Sequence, residues 1–196
     1  SDYLMEETFK YEAPKFIVFN VLEMKYNQPS DTGSSSQREA YNRMTLDGMK
    51  WSLPKINSIY ASMTEEEKEK DGIWSYVFPI LRYHDRWSEI SAEDFKYLFS
   101  RDTVTDNGYL MQVGVNPVGD DYPVIPLADY KFGENADYYL DKMVELCADH
   151  GTELVLIKAP SLSPIWYDQW DQQMEDYAAE HGLRYINFLD KIAEIG

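Results

Sequence analysis

The sequence holds one cysteine, Cys147. A single thiol excludes an internal disulfide and any thiolate metal cluster. Cys147 lies in an apolar helical stripe, where a free cysteine acts as a small hydrophobe. Positive charge is also scarce: 18 Lys and Arg stand against 35 Asp and Glu, a net charge of −17. Acidity on that scale repels phosphate backbones and anionic lipid, which excludes nucleic acid as a partner, and it reads as a means of solubility. No apolar run approaches the roughly 18 residues that cross a bilayer. The opening residues Ser1-Asp2-Tyr3-Leu4-Met5-Glu6-Glu7 lack both the basic and the apolar region of a signal peptide. Absent too are the Gly-x-Ser-x-Gly elbow, the Walker loop, the dinucleotide glycine fingerprint and His-Glu-x-x-His, so no cofactor and no metal is implied. Ser34-Ser35-Ser36 sits in a low-complexity stretch, a poor place to hold an attacking hydroxyl rigid.

What the chain does have is hydrophobic substance: 44% of its 196 residues are apolar and 15% aromatic, enough for one packed domain over residues 1–196. The pattern is clearest near the C-terminus. Ala136, Leu140, Met143, Val144 and Cys147 recur at helical spacing, Gly151 provides a stop, and Leu154-Val155-Leu156-Ile157 follows as an unbroken apolar run. A run of that kind suits a strand buried on both faces of a parallel sheet. The unit repeats in Tyr167, Trp170, Met174 and Tyr177, then His181-Gly182, then Tyr185-Ile186-Asn187-Phe188. A third copy opens the chain: Leu4, Met5 and Phe9 mark a helix, Pro14 stops it, and residues 16–22 read as another buried strand. Helix–Gly–strand units in series predict an α/β fold with parallel crossovers. The chain thus opens inside a helix and closes on Ile192-Ala193-Glu194-Ile195-Gly196, the pattern expected of a domain cut at both ends.

Less regular material lies between. Residues 28–37 are Ser/Gly/Pro-rich and predict a mobile loop. Residues 39–61 mix helical periodicity with Pro54, and Thr64 before Glu65-Glu66-Glu67 predicts a capped helix start. Residues 101–133 contain four of the ten glycines and three of the nine prolines, which predicts an irregular excursion.

In an open parallel sheet, ligands bind beyond the carboxyl ends of the strands. That rule nominates Asn20 to Glu23, Lys158 to Ser163 and Asn187 to Asp190, with ordinary strand exits as the plain alternative. His150 and His181 each precede the glycine that ends a helix, where an imidazole bonds the last carbonyls. The third histidine, His84, stands among Arg82, Asp85, Arg86 and Trp87. Such a cluster suits a carboxylate or a sugar, with Trp87 as a stacking face and the arginines as forks, or else a helix-end ion-pair cluster packed on Trp87.

The order of four segments carries a resemblance. They are Ala13-Pro14-Lys15 through Glu23, Phe78-Pro79-Ile80 through Trp87, Leu154 through Ser161, and Gly182 through Asp190. Together they resemble the SGNH/GDSL-type hydrolase-like family of bacterial cell-surface proteins, distantly similar to proteins that O-acetylate polysaccharides or D-alanylate wall polymers. The resemblance implies a three-layer α/β/α sandwich around a mainly parallel sheet and an extracytoplasmic location. It also implies ester hydrolysis or O-acyl transfer on acylated carbohydrate. Family members carry a nucleophilic Ser in a Gly-Ser-Ser-type turn after the first strand and a later Asp-x-x-His. Neither is carried over onto residues of this chain. Asn20 falls where the family places an oxyanion donor, with Glu23 beside it, although the family's Gly-x-Asn-Asp pattern is absent. Arg82, His84, Arg86, Trp87, Lys158 and Ser161 fall on the substrate side. A non-catalytic glycan- or protein-binding module on the same scaffold is the alternative.

Overall fold

Two amphipathic stripes and one apolar run organise the protein in the computed structural model, which describes residues 2–70, 72–78, 125–160 and 166–191. Helix α1 spans Asp2–Phe9 and strand β1 Phe16–Asn20, followed by a 3-10 turn at Val21–Lys25. After a second 3-10 turn, Pro29–Thr32, come α2 (Ser35–Leu46), α3 (Leu53–Ala61), α4 (Glu65–Lys70) and α5 (Trp74–Val77). The C-terminal units are α6 (Glu134–Asp149), β2 (Glu153–Lys158), α7 (Asp168–His181) and β3 (Arg184–Asn187). The described residues are therefore mixed α/β, with seven helices and a three-stranded sheet.

The strands run parallel in the order β1-β2-β3. Register sets the faces: Ile17 lies opposite Leu154, Phe19 opposite Leu156, and Leu156 opposite Tyr185. These side chains meet Ala136, Leu140, Met143 and Cys147 from α6 and Met174 and Ala178 from α7 in one core. Leu140 and Leu156 are wholly buried, each worth about 1.5–3 kcal/mol of transfer free energy. Both helix stops occur as the glycines dictate. Gly151 and Gly182 each take φ +65°, a left-handed conformation that glycine adopts without a Cβ clash. His150 accounts for its place by bonding the Leu146 carbonyl through Nδ1 at 2.9 Å, whereas His181 stacks on Tyr177 at 4.2 Å.

Strand β1 departs from expectation twice. It ends at Asn20 rather than at residue 22, because Asn20 caps the 3-10 turn that follows. Its other face is also open: Phe16 is 57% and Val18 60% exposed, while Val155 beside them on the central strand is buried. Among the described residues, α6 and α7 both pack on the Leu154 and Leu156 face.

Residues 28–37 differ from the loop reading as well. Gln28 and Asp31 cap the Pro29–Thr32 turn, and Ser34 begins α2 with a capping box. The Ser34 amide donates to Gln37 Oε1 at 3.0 Å, and the Gln37 amide returns a bond to Ser34 Oγ at 3.4 Å. Pro54 sits in the first turn of α3, where its missing N–H costs nothing. Thr64 caps α4 as expected, accepting from the Glu67 amide at 3.3 Å. A second core of Leu46, Met49, Ile59, Met63 and Tyr76 holds this helical region together. Helix α1 contacts both α3 and α6 and so joins it to the sheet, with Ser52 Oγ donating to Glu7 Oε2 at 2.8 Å.

Residues 125–133 form neither helix nor strand, and 101–124 lie outside the described residues. No described helix is long and apolar enough to cross a membrane. The segment returns to the core at Gly133, the N-cap of α6. There Asn27 docks closely: its Oδ1 accepts the Asn135 amide at 3.0 Å, and Asn135 Nδ2 donates to the Asn27 carbonyl at 2.7 Å. A Cβ at Gly133 would overlap the Asn27 side chain. Gly133→Ala is expected to cost roughly 1–3 kcal/mol in denaturant unfolding, as overpacking does. An unchanged midpoint would show that this contact does not hold the turn to α6.

Candidate functional site

The polar exits of the strands meet at one edge of the sheet. Asn20 pairs in register with Ile157, and Lys158 with Asn187, so the ends of all three strands lie side by side. Backbone N–H groups freed where the strands stop need acceptors, and asparagine side chains supply them. Asn20 Oδ1 accepts the Leu22 amide at 3.4 Å and the Ala159 amide at 3.3 Å. Asn187 Oδ1 accepts the Leu189 amide at 3.0 Å in the same local turn.

The Asn20 bonds fix more than a cap. Both partners are donors, so the oxygen must face them and the amide nitrogen must face away. No described group accepts from Asn20 Nδ2, and the residue is half-buried. A preset pair of N–H donors therefore stands at the carboxyl end of a parallel strand, able to receive developing negative charge on an oxygen.

Glu23 sits one turn further along the 3-10 segment, exposed, beside two adjoining cavities of about 690 and 280 Å³. Tyr26, Asn42, Ala61 and Ser62 line both of them, and Arg38 and Tyr41 the larger. Arg38 is held by Glu67 at 2.6 Å and by the Gly33 carbonyl, while its buried Nε has no hydrogen-bond acceptor among the described residues. This wall is not legible in the sequence as part of a site, because Arg38, Tyr41 and Asn42 belong to α2. Ser34-x-x-Gln37 is a capping-box spacing and was the signal available for that helix.

Lys158 is placed differently from a substrate contact. Its side chain is wholly buried, with Nζ donating to the Ala159 carbonyl at 2.7 Å and standing 5.9 Å from the Trp166 ring centroid. Trp166 is in turn held by Asp171, whose Oδ1 accepts the indole N–H at 2.9 Å and the Tyr185 hydroxyl at 2.6 Å. Burial, with Lys25 adding a smaller repulsion, pulls the Lys158 amine below its ordinary range. Cys147 is buried and burial pushes its thiol up, which leaves it inert. Arg82, His84, Arg86, Trp87 and Ser161 lie outside the described residues.

Comparison with known proteins finds no match, neither to a family model nor to a curated protein nor to a solved structure.

The buried amine has a thermodynamic signature. Its folded-state pKa lies below the unfolded value, so the unfolded chain binds more protons between the two and stability rises with pH across that window. Lys158→Met removes the buried charge. Relative to the parent its stability advantage is expected to be largest near neutral pH and to shrink as pH climbs toward the ordinary lysine range. Denaturant titrations across that span measure it, and a pH-independent difference would contradict the assignment.

Proposed function

We propose that this chain is the framework of an SGNH-like ester hydrolase or O-acyltransferase that acts outside the cytoplasm on acylated cell-surface carbohydrate. In this reading the parallel sheet belongs to a three-layer sandwich, and Asn20 is the side-chain donor of the oxyanion hole. What carries it is the Asn20 amide, whose Oδ1 is occupied by two main-chain N–H groups and whose Nδ2 is left to donate. The location fits the rule that parallel sheets bind ligands beyond their carboxyl ends. The segment order set out above supports the same family.

The chemistry asked of this chain is electrostatic. As a base takes its proton, a serine hydroxyl oxygen attacks the ester carbonyl, the carbonyl π pair moves onto oxygen, and the Asn20 N–H groups stabilise the charge that forms there. Collapse expels the alcohol of the sugar, which takes a proton from the base. Water then releases the acyl group, or a second sugar hydroxyl accepts it. The serine and the base are not assigned to residues of this chain.

The test uses the full natural polypeptide with p-nitrophenyl acetate and an O-acetylated oligosaccharide. Asn20→Asp keeps the Oδ1 acceptor, and so the cap, but replaces the donor with a carboxylate. It is expected to leave the melting temperature nearly unchanged and to lower kcat by about 10²–10³-fold, the usual effect of removing one oxyanion donor. Absence of turnover, or full activity in Asn20→Asp, would overturn the proposal.

A further inference from the structure

We propose that the larger cavity, between the two 3-10 turns and helices α2 and α3, is a binding site for a neutral saccharide. The inference rests on the ester-chemistry reading above and assigns the part of the site that would hold the sugar rather than the acyl group. Its volume, about 690 Å³, falls in the roughly 300–1,000 Å³ range of small-ligand sites.

Lining chemistry points to the ligand class. Gln28 and Asn42 present amides, Thr45 and Ser62 hydroxyls, and Tyr26 and Tyr41 aromatic rings. Amides both donate and accept, as a polyol requires, and the Ser62 hydroxyl, which donates to the Ile59 carbonyl, is left to accept. Tyr41 is 66% exposed, so its ring is open to the apolar C–H face of a pyranose.

Charge narrows the class further. The Arg38 guanidinium is already matched by Glu67, and Glu23 adds a carboxylate to the lining. With a net charge of −17 on the whole chain, an anionic sugar would be repelled. A neutral one would not. Position links the cavity to the proposed chemistry: Glu23, which lines the cavity, stands in the 3-10 turn that Asn20 caps. A sugar in the cavity would lie beside the turn that Asn20 caps.

Calorimetric and NMR titrations with N,N′-diacetylchitobiose, cellobiose and digalacturonate test the assignment. Saturable binding of at least one neutral disaccharide is expected, with none for digalacturonate. Tyr41→Ala is expected to weaken binding at least about tenfold without lowering the melting temperature, since the ring is exposed and its stacking is lost. No saturable binding of either neutral disaccharide, equal binding of digalacturonate, or unchanged affinity in Tyr41→Ala would overturn the site. These readouts need no turnover, so ester hydrolysis without disaccharide binding removes this site alone, and binding without hydrolysis removes only the enzymatic reading.

Discussion

The carboxyl edge of the sheet depends on one side-chain oxygen. Where β1 stops, the chain must turn, and its next free amide, that of Leu22, needs an acceptor. Where β2 stops, the Ala159 amide has the same need. Asn20 Oδ1 answers both and ties two segments that are far apart in sequence. The 3-10 turn begins at that point, which sets where Glu23 and Tyr26 stand and so forms one wall of the cavity. The same bonds turn the Nδ2 donors outward. A structural requirement of the backbone thus orients a group with chemical use.

Lys158 shows the opposite balance at the same edge. Wholly buried at the end of β2, its ammonium has a backbone carbonyl and the indole of Trp166 for company. A buried cation with so little compensation is destabilising when charged. The Asp171 carboxylate is engaged by Trp166 and Tyr185, and the Tyr185 hydroxyl is held above its usual pKa by burial first and by Asp171 second. That linkage fixes the indole against the strand end.

Much of the framework is legible in the sequence because its signals are steric. Gly151 and Gly182 end helices where only a left-handed backbone fits, and the stripes of α6 and α7 leave one face each for the core. The end of β1 was harder to read. Val21 and Leu22 continue the apolar run, yet Asn20 competes for the backbone and breaks the strand first. The exposure of Phe16 and Val18 was also hidden, since apolar alternation does not reveal which face is covered. Stretch 28–37 reads as loop by composition, although its serine and glutamine lie at capping distance. Of the site, Asn20 and Glu23 could be named from strand position alone. Arg38 and Tyr41 could not, because they reach the cavity through tertiary packing of α2, and the burial of Lys158 runs against the ordinary behaviour of lysine.

The orientation of the Asn20 amide is the claim on which the rest stands, and nitrogen-15 NMR with hydrogen exchange reads it directly. The Leu22 and Ala159 amides are predicted to be protected, and the Asn20 side-chain NH₂ to exchange freely with water. A protected Asn20 NH₂ together with rapidly exchanging Leu22 and Ala159 amides would contradict the account.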